Sequence, residues 1–170
     1  TVPWALERRR VLIADAMRLR KTSTALAIAY AAYEFFGTSD THARWVAVVQ
    51  ANKLWDWVEE ASVCLPDPWA QSVAIVRGRK AAPPDRDAWL YVTNYEVLPD
   101  RVEFLGTLPG LQGVIFDECV YIKSAKSSRH KAARDLADAI RASGGYVIGL
   151  SGEPIENRPW DLWGQLRVIR

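Results

Sequence analysis

Cysteine, methionine and histidine are scarce in this chain: two, one and two of them among 170 residues. Cys64 and Cys119 lie far apart, with no C-x-x-C and no Cys/His pair at zinc-ligand spacing, which excludes a structural zinc site and predicts reduced thiols. A strong charge of either sign is missing too. The formal net charge of +2 does not by itself mark a nucleic-acid binder, whose footprint is a concentrated basic patch. No apolar run approaches the roughly 18–20 residues of a membrane span, and Thr1-Val2-Pro3-Trp4 has neither the basic nor the apolar region of a signal peptide. A soluble intracellular protein is the expectation. Internal repeats and low-complexity tracts are also missing.

What is present is apolar. Residues of that kind make up 49% of the chain, enough to build one domain around one sheet. Eight tryptophans are many for this length; most fall at helical spacing beside other apolar residues, as Trp55 and Trp57 or Trp160 and Trp163 do, and are expected to pack in the core rather than stack on bases. Strand-length apolar runs recur at 11–14, 45–49, 73–76, 89–93, 113–116 and 146–150 without clean alternation. Helical patterns separate them at 21–36, 52–63 and 127–142, and another begins at Pro159. Near-continuous apolar strands alternating with helices predict an α/β fold, a parallel sheet covered on both faces. On 127–142, Ala132, Ala133, Leu136, Ala137 and Ile140 form one stripe, as on a helix lying over a sheet. The stretch 78–87, with two prolines and alternating charges, reads as a surface loop.

Two segments carry chemistry. Ala14 to Thr22 follows the first strand and opens the first long helix, the position of a phosphate-binding loop. Such a loop needs a lysine for the β and γ phosphates, a Thr or Ser hydroxyl for magnesium and backbone amides aimed at the anion. Lys21 and Thr22 supply the side chains, but the glycines that let a backbone wrap phosphates are missing, with Arg18 and Arg20 in their places. The second segment, Gly113 to Glu118, is an apolar strand ending in two acids. In a nucleotide hydrolase the first acid at such a strand end, here Asp117, holds magnesium and the second, Glu118, orients or activates the attacking water; turn and helix-cap roles account for most strand-end acid pairs taken alone.

Further segments in the same order give the chain a resemblance to Swi/Snf-type ATPases along nearly its whole length. Their L-A-D-E-M-G-L-G-K-T motif is echoed from Ile13 through Asp15, Arg18 and Arg20 to Thr22. Their D-E-A-H and following I-K-N element is echoed as Asp117-Glu118-Cys119-Val120-Tyr121-Ile122-Lys123-Ser124, and their L-T-G-T-P-I-E-N as Leu150-Ser151-Gly152-Glu153-Pro154-Ile155-Glu156-Asn157. Asn52 to Trp57 resembles the motif after the second strand, Val92 to Leu98 the T-T-Y-E-x-L segment, and Arg158 to Leu166 the stretch that closes the third motif.

The resemblance implies a RecA-like lobe of the P-loop NTPase class, filling 1–170 as a single domain, in an ATP- and magnesium-dependent hydrolase that tracks double-stranded DNA between two lobes. It implies ATP contacts at Asp15, Arg18, Arg20, Lys21 and Thr22, magnesium at Thr22 and Asp117, and catalysis at Asp117 and Glu118. Asn52, Lys53, Thr93, Tyr95 and Lys123 would lie near DNA phosphates, positioning without reading bases. It further implies a cytoplasmic or nuclear setting, no membrane and no small-molecule substrate beyond ATP. The second lobe, which carries an arginine finger contributing about 10³ to 10⁵ in rate in related hydrolases, is expected to lie outside this chain, as is the family's adenine-reading glutamine segment.

The departures cluster in the ATP motifs: Ala16, Arg18, Arg20, Cys119, Val120 and Glu153. Two glycine-to-arginine changes are expected to reshape the loop, at about 1 kcal/mol wherever a left-handed backbone is needed. Val120 stands where the family has the histidine that couples the nucleotide site to the third motif, and its isopropyl group cannot hydrogen-bond. Glu153 brings negative charge to the cleft, and pairing with Arg18 or Arg20 is one way to compensate it. Two functions are compatible with this pattern: a translocase lobe weak or inactive toward ATP, and a non-catalytic or engineered RecA-like scaffold binding DNA or protein.

Overall fold

The computed structural model describes residues 1–16, 19–36, 43–84, 87–155 and 159–170, without the side chains of Phe35 and Phe36. Six strands, β1 (Arg10–Ile13), β2 (Arg44–Val49), β3 (Val73–Ile75), β4 (Leu90–Asn94), β5 (Leu111–Phe116) and β6 (Tyr146–Leu150), form one sheet in the order β1-β6-β5-β2-β4-β3. Every pairing is parallel. The helices are α1 (Val2–Arg8), α2 (Lys21–Phe36), α3 (Leu54–Cys64), α4 (Leu98–Gly106), α5 (Ser128–Ala142) and α6 (Pro159–Ile169).

The strands read as uniformly apolar because both faces are covered. Along β2, Trp45, Ala47 and Val49 join one core with residues of α1, α2 and α3, while Val46 and Val48 join the other with residues of α4, α5 and α6. Alternation is therefore present in the structure but hidden in the sequence, since each direction leads into a core. The apolar stripe expected on α5 is buried as a unit. No helix among the described residues is long and apolar enough to cross a membrane.

The apolar pattern does not predict two of the helices. Both α1 and α4 carry a proline in the first turn, at Pro3 and Pro99. There the missing N–H would be unbonded anyway, so proline starts a helix instead of breaking it. The tryptophan expectation needs a larger correction. Trp45, Trp57 and Trp89 are buried, but Trp4, Trp55, Trp160 and Trp163 are 48%, 65%, 75% and 58% exposed. Residues two apart on a helix point to opposite sides, so Trp57 faces inward and Trp55 outward, whereas Trp160 and Trp163 share an outward face. Of the thiols, Cys64 is exposed, Cys119 is buried and both are free.

Candidate nucleotide cleft

All strands point the same way, so the segments leaving β1, β5, β6 and β2 gather at one edge of the sheet. Open parallel sheets bind ligands outside those carboxyl ends. A cleft of about 940 Å³ lies there, lined among others by Arg20, Lys21, Thr22, Lys53, Asp117, Glu118 and Glu153. The phosphate-loop residues and the two strand-end acids thus meet, although roughly a hundred residues of chain separate them.

Arg20 adopts a left-handed backbone with φ 52, the conformation a glycine takes without cost. At this position the loop keeps a glycine-like path instead of being reshaped, at a cost of roughly 1–2 kcal/mol for a residue with a Cβ. Helix α2 begins at the next residue. Lys21 folds back, its Nζ donating to the carbonyl oxygens of Asp15 at 3.0 Å and Ala16 at 3.3 Å. Asp15 therefore meets the lysine through its main chain. Thr22 is half-buried on the first turn of α2. The next residue, Ser23, donates through its hydroxyl to Glu60 Oε1, which brings an α3 carboxylate beside the positive end of α2. Arg18 and the segment 156–158 lie outside the described residues.

Asp117 is held from two sides. Trp57 Nε1 donates to Oδ2 at 2.9 Å, and the amide of Glu118 donates to Oδ1 at 3.0 Å. Burial pushes the Asp117 carboxyl above the ordinary aspartate range, while the Trp57 and Glu118 bonds and the charges of Lys21 and Lys53 pull the other way. Glu118 has a left-handed backbone, φ 45, and its Oε2 accepts from the amide of Gly152 at 3.3 Å. The turn after β5 thereby touches the turn after β6. Glu153 faces the cleft, but Arg20 and Glu153 form no ion pair with each other among the described residues. The expected compensation through Arg20 is thus not made: Arg20 is exposed.

The five residues expected near a DNA backbone separate into two groups. Asn52 and Lys53 are exposed beyond β2, with Lys53 Nζ 2.6 Å from Asp56, and Lys123 lies 3.6 Å from Asp161. Thr93 and Tyr95 are fully buried. The Thr93 hydroxyl donates to Val76 O at 3.1 Å, and the Tyr95 hydroxyl donates to Asp117 O at 2.6 Å. Both hydroxyls serve the interior, so a surface role for these two is corrected. Tyr95 also stacks on Tyr121 at 5.4 Å and 10°, making it a support for the turn that carries the acids.

Sequence reasoning misses two residues of this region. The spacing of Trp57 speaks only for packing, and a bond to a strand-end acid leaves no trace in sequence. Gln165 is fully buried on the α6 stripe that also holds Val168 and Ile169. A polar residue on a buried stripe is the signal that would have flagged it.

A profile of the SNF2-related domain matches residues 1–170. The chain belongs to that family. Among similar proteins, the chromatin-remodeling ATPase INO80 of Lodderomyces elongisporus is 29% identical over 174 residues, which cover 93% of this chain and 10% of the relative. The SWI/SNF-related matrix-associated actin-dependent regulator of chromatin subfamily A-like protein 1 of Xenopus tropicalis is 29% identical, over 95% of this chain and 16% of its own length. The Sulfolobus solfataricus SWI2/SNF2 ATPase core in complex with dsDNA has the same fold, with a TM-score of 0.75 at 24% identity, over 99% of this chain and 34% of that one. This SNF2-related domain therefore spans a minor part of each of these three proteins.

Proposed function

We propose that residues 1–170 are the first RecA-like lobe of an ATP-dependent double-stranded DNA translocase, with a cleft biased against ATP. The observation that carries this is the convergence of Lys21, Thr22, Asp117 and Glu118 on one cleft in a chain that matches an SNF2-related domain from end to end. In this reading Lys21 meets phosphates, Glu118 orients the attacking water, and a second lobe of the full-length protein closes the cleft. Exposed Asn52 and Lys53, with Lys123, face the DNA backbone. The Sulfolobus neighbour, described in complex with dsDNA, supports that partner. An intracellular setting, cytoplasmic or nuclear, goes with it.

Magnesium fits in a limited way. Among the described residues no group of three or more His, Cys, Asp or Glu is arranged to hold a metal. Thr22 and Asp117 would hold the ion together with phosphate oxygens, as is usual for this cation, and it would neutralise charge developing on the phosphates.

The bias comes from charge and backbone. Glu153 brings a further carboxylate to a cleft that Asp117 and Glu118 already line, so a triphosphate meets added negative charge there. Arg20 also projects a side chain where a glycine would leave room for phosphates. These features favour, as a second reading, a lobe that keeps a DNA or protein surface without hydrolysis.

Fusion to a competent second lobe of a relative tests both. The translocase reading expects slow hydrolysis that duplex DNA stimulates, rising when Arg18→Gly, Arg20→Gly and Glu153→Thr are combined. Hydrolysis that stays at background with DNA in the restored variant would refute it and leave the scaffold.

A further inference from the structure

The turn after β5 and the turn after β6 are joined a second time, beneath the cleft. Gln165 of α6 is 0% exposed, and its amide is fully engaged. Nε2 donates to Pro154 O at 2.6 Å and to Asp161 O at 3.1 Å, while Oε1 accepts from Cys119 Sγ at 3.1 Å. One side chain thus touches the residue after Glu118 and the residue after Glu153. Cys119 is itself completely buried, and its thiol S–H is the donor in this bond.

The backbone enforces the reach. A Cβ on Gly164 would lie 1.8 Å from Lys123 O, so α6 is pressed against the chain just past the acid-bearing turn, and Lys123 and Asp161 pair across the same junction. The neighbouring route is closed. Val120 has no side-chain atom that hydrogen-bonds, and the Ser151 hydroxyl is buried without a partner among the described residues. A buried amide left unbonded is costly, so displacing Cys119 strains Gln165 and, through it, Pro154.

We propose that Gln165 is a positioning residue that couples the acid-bearing turn to the third-motif turn, in place of a bond Val120 cannot make. The inference rests on the functional reading above and deepens it by naming how the two motifs communicate, and its test contains no nucleotide.

Amide chemical shifts of the 170-residue chain provide that test. Cys119→Ala removes the thiol donor and is expected to move the amides of Glu153 and Ile155, whereas Cys119→Ser keeps a donor and is expected to leave them in place. In a Gln165→Met background, which keeps side-chain length, Cys119→Ala no longer reaches those amides. Unmoved amides in the first variant would overturn the proposal. So would an equal movement in the Gln165→Met background, since the Glu118–Gly152 contact would then be the carrier. If Gln165→Met does not fold, the wild-type chain still decides. Its Gln165 side-chain amide protons are expected to exchange at least about a hundredfold more slowly than those of an exposed glutamine, and free exchange would remove the bond on which the coupling depends. Hydrolysis at background in the restored fusion would refute the proposed function and leave this coupling standing.

Discussion

At Asp117, burial and charge pull in opposite directions. The carboxyl accepts from Trp57 and from the Glu118 amide, yet burial outweighs both and raises its pKa. A raised pKa means that the folded chain favours the protonated acid more than the unfolded chain does. Ionisation then destabilises the fold, and the penalty grows as pH rises from the ordinary aspartate value, about 3.9, through the raised one. Measured against Asp117→Asn, which is neutral at all pH but keeps only one of the two acceptor oxygens, the wild type is expected to lose stability as pH rises from about 4 toward 7. Urea unfolding of both proteins at a series of pH values measures it; a gap independent of pH would show that Asp117 carries no such penalty. This residue was legible as a site residue from the strand-end acid pair, but its environment was not, because Trp57 reaches it from another element across the sheet edge. Thr93 and Tyr95 show the same limit. Motif position gave their neighbourhood, and only packing showed that they point inward.

The elements themselves were readable where periodicity was strong. Each of the six strands falls on an apolar run, and α2 spans the expected 21–36. Short helices opened by proline were not readable, since the same residue ends helices elsewhere. Close approach between elements is equally invisible in a sequence, and α6 depends on it. Gly164→Ala would set a Cβ 1.8 Å from Lys123 O, whereas a Cβ on Gly106 would find its nearest neighbour, Ala139 Cβ, at 3.9 Å. Gly164→Ala is therefore expected to destabilise the chain by about 1–3 kcal/mol. Gly106→Ala should be neutral or stabilising by a few tenths to about 1 kcal/mol. Chemical denaturation of the pair checks both, and equal effects would show that α6 does not press on the acid-bearing turn.

Over the whole molecule, a parallel sheet gathers Lys21, Thr22, Asp117, Glu118 and Glu153 at one edge, and the family match covers the chain from end to end. The function proposed above separates scaffold from chemistry. In the proposed reading the sheet, the left-handed backbone at Arg20 and the paired acids keep the architecture of a nucleotide site, while the Arg20 side chain and the Glu153 carboxylate, both lining the cleft, weaken it for a triphosphate. The order of motifs made the architecture legible. The part played by α3 was not, because Asp56 and Glu60 join the cleft only through the packing of α3 beside α2. Calorimetric titration of ATP with magnesium into the wild-type chain and into an Arg18→Gly/Arg20→Gly/Glu153→Thr variant tests the account most directly. The variant is predicted to bind at least about tenfold more tightly, equivalent to about 1.4 kcal/mol; equal micromolar affinity for both proteins would contradict it.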